Sequence, residues 1–220
     1  GISCALYLSD VDYLMKLESF KKGYYQVQDK SSMQVAMWAS PKEGDYIIDV
    51  CAAPGGKAIH LAEMLRGTGH VEARDLTEYK VGLIWDNIQR SGMTNIEAVQ
   101  RDARVRDEAS VGKADIVIAD LPCSGLGVLG RKPDLKYKMT QETQRELVKL
   151  QQEILSVTAE YVKAGGTLIY STCTIHREEN ERNVRWFERQ FPQFHMLREC
   201  QSLPNRSLGD GFYIAMFRRT

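Results

Sequence analysis

Two cysteines in this chain stand where a thiol could attack a substrate or assist the attack. The stretch IVIADLPCSGLG, residues 116–127, runs from an apolar segment into a glycine-rich loop, with Asp120 and Cys123 on either side of its proline. The stretch TLIYSTCTI, residues 167–175, repeats the plan, with Cys173 just past its apolar run. A thiolate is a nucleophile and a thiol can pass on a proton, so two cysteines could divide a covalent reaction between them. A carboxyl beside them can polarise the group under attack. Residue types alone leave open which thiol attacks. Cys173 precedes a helix expected to start near Arg177, whose positive end favours a thiolate. Either cysteine alone could be a small packing residue, but two at corresponding strand ends with Asp120 between favour chemistry. Cys4 and Cys200 are expected to be buried packing residues, and Cys51 a compact one beside a glycine loop.

That loop, CAAPGGK, covers Cys51, Ala52, Ala53, Pro54, Gly55, Gly56 and Lys57. Its glycines allow a sharp turn and a close approach to a ligand, and the amides of the following helix could face an anion. It matches neither the dinucleotide GxGxxG pattern nor the phosphate loop GxxxxGK[ST]. Asp75 lies twenty positions after Gly55 at the expected end of the next strand, where a carboxylate can accept hydrogen bonds from two ribose hydroxyls. Asp102, one strand further, could meet an adenine amino group. The set suits an adenosine ligand without a pyrophosphate.

The elements that must place these residues alternate. Strands are expected at DYIIDV, GHVEARD, NIEAVQRD, ADIVIAD and GGTLIYST, and helices follow through Arg66, over 78–91, from Gln141 to about Lys163 and over 178–190. Such alternation means a mostly parallel sheet covered on both faces, and GFYIAMFRR reads as a last, antiparallel strand. In such sheets ligands bind beyond the carboxyl ends of the strands, where the acids and thiols fall. Before the first of these strands, a helix is expected over 9–20 with Ser9 as its N-cap, a short strand at YYQVQD and a helix at SSMQVAMWAS. Residues 1–40 are expected to be an N-terminal extension packed on the core or the remnant of a longer domain, and 41–220 the domain that carries the chemistry. REENERNVRWFERQF reads as an amphipathic helix whose charges form a solvated face. In the loop after Cys123, Arg131, Lys132, Lys136 and Lys138 could meet phosphates and Tyr137 could stack on a base, or the loop could simply be solvated.

Composition narrows the class. Lys+Arg and Asp+Glu both number 29 in 220 residues, so net charge gives no reason to invoke a polyanion, although a local basic surface would serve as well. No apolar run is long enough for a membrane span. The five cysteines are odd in number, widely spaced and without a CxxC pair, which argues against a disulfide framework or a zinc site and for reduced thiols in the cytoplasm.

Taken together, DVCAAPGGK, DLPCSGLGVLGRKPDLK, YSTCTI with the EEN that follows, and GDGFYIAMFRR resemble the Nol/Nop/Sun RNA 5-methylcytosine methyltransferases from about Val27 to the C-terminus. GISCALYL and YQVQDKSSM resemble the lead-in of the bacterial 16S ribosomal RNA methyltransferase B branch, in which a NusB-like domain comes first. The resemblance implies a Rossmann-like class I fold that uses S-adenosyl-L-methionine. Cys51 to Lys57 would wrap the methionine end of the cofactor, Asp75 would hold the ribose and Asp102 the adenine side, and Asp120 would lie between cofactor and base. It also implies Cys173 as nucleophile and Cys123 as the group that assists release. DLPC resembles the site of DNA 5-methylcytosine enzymes too, where the Pro-Cys thiol attacks. His176 and Arg177 depart from the Asn and Pro that related sequences often carry. The expected partner is RNA, most of all 16S ribosomal RNA, with tRNA or another RNA as the alternative and a catalytically silent binding protein as a further one. A monomer acting in the cytoplasm, with no membrane partner, completes the reading.

Overall fold

The carboxyl ends of parallel strands collect the chemistry in this molecule, and the reason lies in its order of elements. A computed structural model describes residues 2, 5–205 and 209–220, so Cys4 lies outside the described residues. The elements are α1 (Glu18–Lys21), α2 (Lys30–Ala39), β1 (Tyr46–Asp49), α3 (Gly56–Met64), β2 (His70–Asp75), α4 (Glu78–Ser91), β3 (Ile96–Gln100), β4 (Ala114–Asp120), α5 (Leu135–Lys138), α6 (Gln141–Thr158), β5 (Val162–Thr172), α7 (Glu181–Gln190), β6 (Phe194–Ser202) and β7 (Phe212–Arg219). The strands form one sheet in the order β3-β2-β1-β4-β5-β7-β6. The first five are parallel, and β7 pairs antiparallel with both β5 and β6. The expected α/β architecture with an antiparallel last strand is therefore present.

Strand side chains alternate between two faces, so neighbouring residues enter different cores. Ile47, Ile116, Ile118 and Ile169 pack on one face with Val35 and Ala36 of α2, Ile59 and Leu61 of α3, and Ile84 and Ile88 of α4. Ile48, Val117, Leu168 and Phe217 pack on the other with Ile154 and Leu155 of α6, and Val184 and Phe187 of α7. Sandwiched this way, the centres of β1, β4 and β5 read as apolar runs. No helix of the described residues is long and apolar enough to cross a membrane.

Several expectations change. The helix expected over 9–20 is a 3-10 turn at Leu14–Lys16 followed by the four-residue α1, and neither buries a residue. Ser9 does not cap it but donates its hydroxyl to Asp10. YYQVQD is not a strand; Arg90 of α4 donates to the Phe20 and Tyr25 carbonyls and lies over the Phe20 ring, tying the segment to a helix instead of a sheet edge. The helix after Gln141 stops at Thr158, because Val162 already pairs with Ala114 as β5 begins. β6 was not anticipated, since its exposed polar residues look like a loop; it adds to the sheet by backbone bonds to β7. Cys200 lies on this edge strand and is exposed, not buried.

Candidate active site

The glycine loop is built by three local constraints. Ala52 donates its N–H to the Arg74 carbonyl at 2.8 Å, and Gly55 donates to the Ala52 carbonyl at 2.7 Å. Gly55 has φ 104°, a left-handed conformation open to glycine, and it starts α3. The Ala53–Pro54 peptide is cis. Asp75, at the end of β2, clasps this loop: one carboxyl oxygen accepts from Ala53 N at 3.1 Å, the other from Leu76 N at 2.8 Å, and Lys80 Nζ lies 3.1 Å away. Asp102 stands two residues beyond β3 and makes its contacts with Arg104, which holds the carboxyl below its ordinary range.

The first turn of α3 aims Lys57 across the sheet. Its Nζ lies 2.7 Å from Asp120 Oδ2 at the end of β4, and Ser171 Oγ of β5 donates to Asp120 Oδ1 at 2.7 Å. Burial works against the lysine's charge, but Asp120 outweighs it and keeps Lys57 protonated.

The loops after β4 and β5 then bring the thiols together, with Cys123 Sγ 3.3 Å from Cys173 Sγ. Their ionisation is divided. The Cys123 hydrogen bond stabilises a Cys173 thiolate, and nearby Lys57 adds to this, so Cys173 is pushed down. Cys123 goes well up, first because its proton is held by Cys173 and then through burial. Cys51, partly buried against the core face of α6, is pushed up by burial and by the acids around it.

Sequence reasoning missed Asp49. It ends β1, is fully buried, and neither carboxyl oxygen has a hydrogen-bond partner among the described residues. Burial first, then Asp120, pushes it up to about 7. The signal was present in DVCAAPGGK, as an acid inside an apolar strand. The solvated face expected over REENERNVRWFERQF is also partly wrong: Glu179 and Asn180 turn inward beneath the cysteine loops before α7 begins at Glu181, and Asn183 on α7 is buried against Gln151. In the loop after Cys123, Arg131 pairs with Asp210 and Lys138 with Asp134, while Tyr137 stays exposed beside Lys136.

Known proteins resemble this chain in sequence and in fold. The family described as 16S rRNA methyltransferase RsmB/F matches residues 36–218. The chain is 38% identical to a probable ribosomal RNA small subunit methyltransferase B of Bacillus subtilis (strain 168), over 91% of this chain and 49% of that one. It is 35% identical to a tRNA (cytosine(72)-C(5))-methyltransferase of Pyrococcus horikoshii, over 94% of this chain and 55% of that one. In three dimensions it resembles the crystal structure of NSun6 from Pyrococcus horikoshii with SFG, at a TM-score of 0.84 and 32% identity, covering 95% of this chain and 56% of that one. The chain spans about half the length of these relatives. With the match covering most of its length, the chain belongs to the RsmB/F family.

Proposed function

We propose that this chain is the catalytic portion of an RNA 5-methylcytosine methyltransferase, using S-adenosyl-L-methionine and a covalent cysteine adduct. The observation that carries the reading is the pair of thiols 3.3 Å apart beside the Lys57–Asp120 ion pair. Residues 41–220 carry the chemistry, and 1–40 are an N-terminal extension whose α2 packs on their core. The residues suit the cofactor. Asp49, Asp75 and Asp120 make the strand ends acidic, which favours a sulfonium and an ammonium, and Gly55–Gly56 leaves space for close approach. Cys51 to Lys57 would hold the methionine end, Asp75 the ribose and Asp102 the adenine side. When bound, S-adenosyl-L-methionine supplies an electrophilic methyl group.

Cytosine C5 is a poor nucleophile until a thiolate adds to C6. Cys173 is poised to make that bond, as the thiol whose ionised form the site stabilises. Asp120, oriented by Ser171 and Lys57, would accept from the exocyclic amine and, once protonated, donate to N3 as electron density moves into the ring. Once C5 carries the methyl group its proton must leave. Cys123, its own thiol proton first lost to solvent after Cys173 has bonded to C6, would take it, directly or through water, and the C6–S bond breaks to return the Cys173 thiolate. A base enters such a pocket only from a single strand or after flipping out of a helix. The target we favour is 16S ribosomal RNA, in the cytoplasm and by a monomer; the tRNA enzyme among the relatives makes tRNA the second candidate.

Two substitutions test this. Cys173→Ala is expected to abolish methylation, and Cys123→Ala to accumulate a covalent protein–RNA adduct on denaturing gels. An adduct that survives Cys173→Ala would reverse the two roles. Failure of S-adenosyl-L-methionine to bind by titration calorimetry would leave a silent binding protein.

A further inference from the structure

Each reactive thiol lies between two residues that are tied down, and the ties converge on consecutive positions, Glu179 and Asn180. On the Cys123 side, Gln151 Nε2 donates to the Pro122 carbonyl at 2.9 Å and to Glu179 Oε2 at 3.0 Å. Ser124 donates its N–H to Glu179 Oε2 at 2.9 Å and its hydroxyl to Glu179 Oε1 at 2.5 Å. On the Cys173 side, Thr172 Oγ1 donates to Asn180 Oδ1 at 2.6 Å, and Asn180 Nδ2 donates to the Thr174 carbonyl at 3.0 Å. Ser124 and Thr174 join through their hydroxyls at 2.8 Å. Glu179 and Asn180 are fully buried. A buried carboxylate is tolerated when its oxygens are hydrogen-bonded, and these accept three such bonds.

We infer that Glu179 is a positioning residue that holds Cys123 against Cys173, with Asn180 fixing the other half of the contact. The inference deepens the reading above, because it concerns the same two thiols. Glu179 touches neither thiol in a hydrogen bond; it acts through Ser124. Its loss frees the Cys123 loop and removes the hydrogen bond that favours the Cys173 thiolate.

The test is the pH dependence of Cys173 alkylation by iodoacetamide, read by peptide mass spectrometry on the full chain. The other groups facing Cys173 are Cys123 from the loop after β4, Asp120 from β4 and Lys57 from α3, and none is changed. For E179Q the midpoint is expected to rise by about one pH unit, roughly tenfold less thiolate below it. Removing the negative charge by itself would lower the midpoint, so the sign separates positioning from electrostatics. S124A, which changes no charge, is expected to shift the midpoint in the same direction by less, and it carries the test if E179Q does not fold. In methylation assays, E179Q is expected to lose about tenfold in kcat with KM for S-adenosyl-L-methionine unchanged. An unchanged or lowered midpoint in the folded variants would overturn the inference. Alkylation needs neither cofactor nor RNA, so absent methylation in the unmodified chain would count against the reaction and leave the positioning result standing.

Discussion

Asp49 shows how one residue can couple the site to stability. A carboxyl ordinarily ionises near 3.8, but burial holds this one at about 7 in the folded chain. Between those values the folded protein keeps a proton that the unfolded chain has released. Stability from this group is complete below about pH 4, is lost as the pH rises through 7, and then levels. The full difference is about 4 kcal/mol. Asp49→Asn is expected to remove that part of the pH dependence, so that the melting temperature of the native chain falls relative to the variant between pH 4 and 7. Parallel curves would show that Asp49 is already ionised. Residue types made the paired thiols, Asp120 and the glycine loop legible from sequence. Asp49 was marked only as an acid inside an apolar strand, and Glu179 not at all, since only burial sets it apart from other acids.

At the scale of elements, the loops after β4 and β5 are locked by a crossing of two glycines. Gly127 N donates to the Cys173 carbonyl at 3.0 Å, and Gly211 N donates to the Gly127 carbonyl at 2.9 Å. A Cβ on Gly127 would lie 2.0 Å from the Gly211 carbonyl oxygen and 2.7 Å from that of Cys173, a clash with backbone that no side-chain rotation relieves. Gly127→Ala is expected to cost about 1–3 kcal/mol in denaturant unfolding. Because the displaced loop carries Cys173, methylation should fall about a hundredfold, the loss expected for an ångström of misplacement. Unchanged turnover would show that the crossing does not hold the thiol. From the sequence, α4 and β4 were legible to the residue and β2 to within one, because apolar period and turn residues agree there. β6 and the start of β5 were not, because an edge strand needs little apolar pattern and Val162 is placed by pairing with Ala114.

Across the whole molecule, the sheet is held by two cores, and the far one supports the site. Phe187 of α7 is buried against Phe191, Phe194 and Phe217, linking the helix after the cysteine loop to β6 and β7. Phe187→Ala is expected to cost about 3–5 kcal/mol in urea unfolding. A cost under about 1 kcal/mol would mean the cluster is not a core. By itself the sequence determined the alternating α/β order, the family, and the residues proposed to bind an adenosine or to attack as thiols, because these depend on local pattern and residue type. Tertiary structure decided which groups meet. The sheet order β1-β4-β5 sets Lys57, Asp120, Cys123 and Cys173 side by side although they span residues 57 to 173, and burial turns EEN from a solvated charge run into the support beneath both thiols. Such contacts arise from chain crossings and lost solvent, and neither is written in the spacing of neighbouring residues.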